Sequence, residues 1–201
     1  MKYLFLALAI AFIIFAVYTF IRASRVEKNR EPKPAPRRDP FEGVQGAEPY
    51  GPNSLGPGAI LSRGGVDYVV RGTLNLRQGP YQWQEHMLDG GEGTEWLSVE
   101  MDEGQLDLVL WRTRKDLNFD PHDQVEVDGV QYRRQETGQA MFTSEGNTGL
   151  PEQGEMEYAD FAAADNRRLS LERFSAGAMW EVSLGENMLP GDFVVYPAPR
   201  D

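Results

Sequence analysis

QVEVDGVQYRRQ, residues 124–135, reads as two short strands joined by a two-residue turn. Asp128-Gly129 is the strongest hairpin signal in the chain, because a type I′ turn needs two residues that tolerate positive φ. Gln124–Val127 and Val130–Gln135 then run antiparallel, and the same grammar extends outward in both directions. Val66–Val70, Glu95–Met101 and Leu106–Trp111 alternate as strands, and turns fall at Arg63-Gly64-Gly65, Asp89-Gly90-Gly91 and Glu103-Gly104. No ten-residue helical pattern interrupts them, although the alanines between Tyr158 and Asn166 leave room for one helical turn there. Short strands recurring at intervals of about 8–12 residues predict an all-β domain, an antiparallel barrel or sandwich.

The domain matches itself. Gly65-Val66-x-Tyr68 recurs as Gly129-Val130-x-Tyr132, and Thr73 as Thr137, 64 positions on. Glu85-His86 and Leu97-Ser98-Val99-Glu100 recur as Glu157-Tyr158 and Leu169-Ser170-Leu171-Glu172, 72 positions on. Two similar β-units, 58–113 and 124–196, are therefore expected to pack with their apolar faces together. Alternation puts Leu97, Val99 and Met101 on one face and Ser98 and Glu100 on the other, with Ser170 and Glu172 as their counterparts. That polar face is either plain solvent-facing sheet or the lining of a groove between the units.

Upstream the composition changes. From Arg22 to Pro57 there are seven prolines and few residues that could form a core, the mark of an extended linker. Before it, Tyr3–Ile21 is a run of nineteen residues without a charge. As a helix it would span about 28 Å, close to the hydrocarbon thickness of a bilayer. It is longer than the apolar core of a secretory signal and lacks its cleavage site, so residues 1–21 read as a transmembrane anchor. Seven cations follow the span and one Lys precedes it. This asymmetry predicts an outside N-terminus and a cytoplasmic domain at the cell membrane.

Charge is segregated as well: residues 1–39 carry a net +5 and residues 40–201 a net −16. So acidic a domain, 58–197, is repelled by phosphate backbones, which makes nucleic acid an unsuitable partner. Absent cysteine excludes disulfides, thiolate zinc sites and cysteine nucleophiles. In the Asp116–Val127 loop, Asp116, Asn118 and Asp120 have the first three ligand spacings of a calcium loop, but Pro121 and Val127 stand where glycine and glutamate are required. No phosphate-binding glycine loop or nucleophile elbow occurs. A carboxylate–imidazole pair of Glu85 and His86 beside Trp83 has the groups for acid–base work, yet tryptophans in strands ordinarily serve packing. No catalytic residue, metal or cofactor is expected.

VDYVVRGTL (66–74), the W-x-E-H-x-L of Trp83–Leu88, WLSVE (96–100), YRRQETGQA (132–140), LSLE (169–172) and Trp180-Glu181 resemble the bacterial domain of unknown function 4178 family. The layout is similar to its actinobacterial members with an N-terminal span, while His86 stands where relatives often have Tyr. The resemblance implies an all-β domain without an established activity, and a polyamine or membrane-stress setting. The expected function is non-catalytic: a membrane-anchored module that binds or scaffolds a protein partner at the cytoplasmic face. Its alternative is a binder of a cationic small molecule such as a polyamine, held between the repeats by Glu85, Glu100, Glu157 and Glu172 with Trp83 and His86.

Overall fold

The computed structural model describes residues 48–51 and 54–198. The anchor Tyr3–Ile21 and most of the linker lie outside them. Eleven strands follow in order: β1 (Ile60–Arg63), β2 (Val66–Gln78), β3 (Tyr81–Asp89), β4 (Glu95–Asp102), β5 (Gln105–Thr113), β6 (Gln124–Val127), β7 (Val130–Gly146), β8 (Gln153–Ala163), β9 (Arg168–Arg173), β10 (Glu181–Met188) and β11 (Val194–Tyr196). Two short 3-10 turns, Glu48–Tyr50 and Pro190–Asp192, complete the elements. Among the described residues no helix is long and apolar enough to cross a membrane. Where a helical turn was expected, Tyr158–Ala163 is strand, because β7 and β9 flank it and pair with it on both edges.

Turn chemistry sets the registers. Asp128-Gly129 (φ 51° and 75°) joins β6 to β7, and Glu103-Gly104 (φ 47° and 83°) joins β4 to β5, both with the paired positive φ of a type I′ turn. All pairings are antiparallel, and the chain of neighbours closes: β2-β3-β4-β5-β10-β9-β8-β7, with β7 returning to β2. This is an eight-stranded antiparallel barrel. The extra strands extend it, β1 along β2 with β11 beyond β1, and β6 along β7. Exchanging β2–β5 with β7–β10 leaves the strand order of the ring unchanged. The bulges also correspond: one residue is passed over in β2 at Arg71 and one in β7 at Gln135, 64 positions apart.

Core placement corrects the packing expected from sequence. The two apolar faces do not meet; each lies on the outer side of the ring under its own cover. Leu97, Val99, Leu108 and Leu110 are buried by Leu61 of β1, by Phe193, and by Tyr50, Leu55 and Ala59 ahead of β1. Leu169, Leu171, Ala159 and Phe161 are buried by Val125 and Val127 of β6, with Leu117 and Phe119 packed alongside. Folding the short flanking strands back satisfies the apolar faces locally, so the polar faces are the ones that turn toward each other. A third cluster, Leu74, Leu76, Ala140, Phe142 and Met156 with Tyr158, fills part of the barrel interior.

Candidate functional site

What remains of the interior is a cavity of about 460 Å³, lined by residues from seven of the eight ring strands. Its floor is the third cluster, which shares Trp83, Met156 and Tyr158 with the lining. Exposed Tyr81, Asp102, Gln135 and Glu136 form the rim. Both Gln135 and Glu136 belong to the β7 bulge, the kind of irregularity that re-aims side chains at barrel rims.

Two matched rows of side chains build the walls. On β3 and β4, Trp83 lies opposite Glu100 and Glu85 opposite Ser98. On β8 and β9, Tyr158 lies opposite Glu172 and Asp160 opposite Ser170. The two rows touch through an edge-on contact of Trp83 and Tyr158, ring centroids 5.9 Å apart. Trp111 of β5 completes the wall, and the strand facing it is bare there: a Cβ on Gly185 would lie 2.6 Å from the Trp111 ring. A glycine at that position is what lets the indole lie flat inside the barrel.

Among the described residues, seven carboxylates line the cavity, Glu85, Glu100, Asp102, Asp107, Glu136, Asp160 and Glu172, against a single cation, Arg168. Arg168 is bonded to Asp107 at 3.3 Å and to Asn187. The other six have no ion pair with a described residue. Glu85 is only 7% exposed, and its Oε1 accepts the Trp83 indole N–H at 3.0 Å.

Burial raises the proton affinity of this group of acids. It lifts Glu100 to about 7, with Asp102 and Asp107 adding repulsion. It lifts Asp160 to about 6 despite a hydrogen bond from Ser170. Glu85 and Glu172 are both driven upward by burial, and Glu172 further by the Glu85 charge beside it. Tyr158 is raised too, first by burial and then by Glu136.

Of the six residues expected at a site, Trp83, Glu85, Glu100 and Glu172 converge on the cavity. Glu157 and His86 do not, since alternation puts both on the other face of their strands. Glu157 is bound by Arg173. His86 is fully buried, its Nδ1 2.9 Å from Thr73 Oγ1, and burial pushes its pKa down to about 3. The counterpart of Glu85 is Asp160, not Glu157. Sequence matching missed this because three fewer residues separate Asp160 from Ser170 than Glu85 from Ser98. Trp111, Asp107 and Glu136 were also missed; the bulge at Gln135 and the run Trp83, Trp96, Trp111 were the available signals. In the rejected calcium loop Asp116 is held by Arg114. No group of three or more metal-ligating side chains gathers among the described residues.

Fold and site together define a small antiparallel barrel with an acidic, aromatic-walled interior. The chain belongs to the family described as Domain of unknown function (DUF4178), whose model matches residues 56–190. It is similar to the Uncharacterized protein Rv2597 of Mycobacterium tuberculosis and the Uncharacterized protein Mb2628 of Mycobacterium bovis. Each is 43% identical over 201 residues, covering 98% of this chain and 97% of the relative. No solved structure matches the chain.

Proposed function

We propose that this protein binds an organic polycation of the polyamine class inside its barrel. One observation carries the reading: seven carboxylates face one cation across a cavity walled by Trp83, Trp111 and Tyr158. Unpaired charges in a low-dielectric enclosure are costly, and a bound cation removes that cost. The acids are spread from floor to rim rather than gathered on one point, which suits several ammonium groups on a chain better than a metal ion. Apolar spacers between those groups would lie against the rings, as expected of small-molecule sites with few placed polar groups.

The same reading treats β1–β5 and β6–β10 as two copies of one unit, each contributing one aromatic, two acids and one serine to the matched rows. It keeps the N-terminal span as a membrane anchor with the barrel at the cytoplasmic face, where the −16 charge repels anionic lipid headgroups. It assigns binding, not catalysis, and leaves the outer acidic surface to a protein partner at the membrane. Isothermal titration of the full-length protein in detergent with spermidine tests it. Saturable heat is expected, weakened at least about tenfold in Glu85→Gln and in Glu172→Gln, the loss for one charge-assisted hydrogen bond. Absence of heat, or unchanged affinity in both variants, would sink the proposal.

A further inference from the structure

Several of the hydrogen-bond donors lining the cavity are committed to the protein's own acceptors. Trp83 Nε1 donates to Glu85, and Trp111 Nε1 donates to Ser98 Oγ at 2.9 Å. Ser170 Oγ lies 3.3 Å from Glu172 Oε1 and shares its single O–H between Glu172 and Asp160, and the Tyr158 hydroxyl lies 2.8 Å from both Gln78 Oε1 and Glu136 Oε1. Arg168 donates from Nε to Asn187 and from Nη2 to Asp107. Apart from the Gln78 amide N–H and the Tyr81 hydroxyl, what the wall leaves open is carboxylate oxygen: the second oxygens of Glu85 and Glu172, and the carboxylate of Glu100.

The rings do not converge on one point. Trp83 and Tyr158 meet edge-on at 70° rather than flanking a common centre, and Trp111 lies against Gly185 of the neighbouring strand. An aromatic cage for a quaternary ammonium needs ring faces turned to one point, and these rings do not supply it. Carboxylate oxygens held inside a barrel are best satisfied by hydrogen-bond donors, and a ligand bearing N–H groups supplies them.

We propose that the cavity selects a cation bearing N–H donors, a protonated amine or a guanidine, and discriminates against quaternary ammonium ions of the same charge and length. This inference rests on the cation-binding reading above. It adds that recognition runs through N–H···carboxylate bonds and not through charge alone.

Titration of the full-length protein with 1,4-diaminobutane, its tetramethyl bis-tertiary form and its hexamethyl bis-quaternary form separates the two claims. The tertiary diamine keeps one N–H on each end and nearly the bulk of the quaternary one. The diamine and the tertiary form are expected to bind, with the quaternary form weaker by about tenfold or more per hydrogen bond lost. Equal affinity of the tertiary and quaternary forms overturns the donor rule while leaving the cation site standing. If none of the three gives heat, the cation reading falls and this inference with it.

Discussion

Replacing Asp160 by asparagine should make the empty protein more stable at pH 8, although it alters a residue of the site. Burial moves the Asp160 carboxyl from 3.8 to about 6, so ionising it in the cavity costs about 3 kcal/mol more than in the unfolded chain, at about 1.4 kcal/mol per pH unit. The folded state therefore holds the proton more tightly than the unfolded one. The stability this brings is complete below pH 3.8 and is lost as pH rises through about 6. Asparagine has the same shape and no charge to bury, so the gain of the variant over the parent should grow from near zero at pH 4 to about 3 kcal/mol at pH 8. His86 pulls the other way. Its depressed value means that stability is lost as pH falls from 6.5 toward 3, so the readout is the difference between variant and parent at each pH. Urea unfolding followed by tryptophan fluorescence measures it. With a urea slope of about 2 kcal/mol per molar, the midpoint at pH 8 should rise by about 1.5 M. A variant no more stable than its parent at pH 8 would refute the picture of an uncompensated acid in the barrel.

Gly185→Ala would drive a methyl group into the Trp111 ring; a loss of about 1–3 kcal/mol in urea unfolding is expected from overpacking. A variant as stable as the parent would remove Trp111 from the cavity wall. Arg112→Ala strips the cation from Glu95, which is 1% exposed and bonded to Arg112 at 2.6 Å. A loss of about 1–3 kcal/mol should follow, much of it restored when Glu95→Gln is added, because the uncompensated charge is then gone. For the anchor, a phosphatase that works only in an oxidising compartment, fused after Asp201, should be silent; activity would reverse the membrane orientation.

Much of the fold could be read from its turns. Asp128-Gly129 and Glu103-Gly104 carry their conformational requirement in two letters, and the flanking strands follow from alternation. Closure of the ring could not be read, because β2 meets β7 and β5 meets β10 over long separations, and pairing at that distance leaves no local pattern. The same gap misdirected the packing. Leu97 and Leu169 announce two apolar faces, but nothing near them says that β1 and β6 fold back as lids, which turns Glu100 and Glu172 inward. Ser98 and Glu100 were placed on the correct shared face by alternation alone. Asp160 was not found, because its equivalence to Glu85 lives in strand register and not in sequence spacing.

A structure of the protein crystallised with spermidine tests the central claim most directly. The account predicts ligand density inside the barrel, with one ammonium group within hydrogen-bond distance of Glu85 and Glu172 and another near Glu100 toward the rim. An empty barrel with spermidine bound on the outer acidic surface would contradict it.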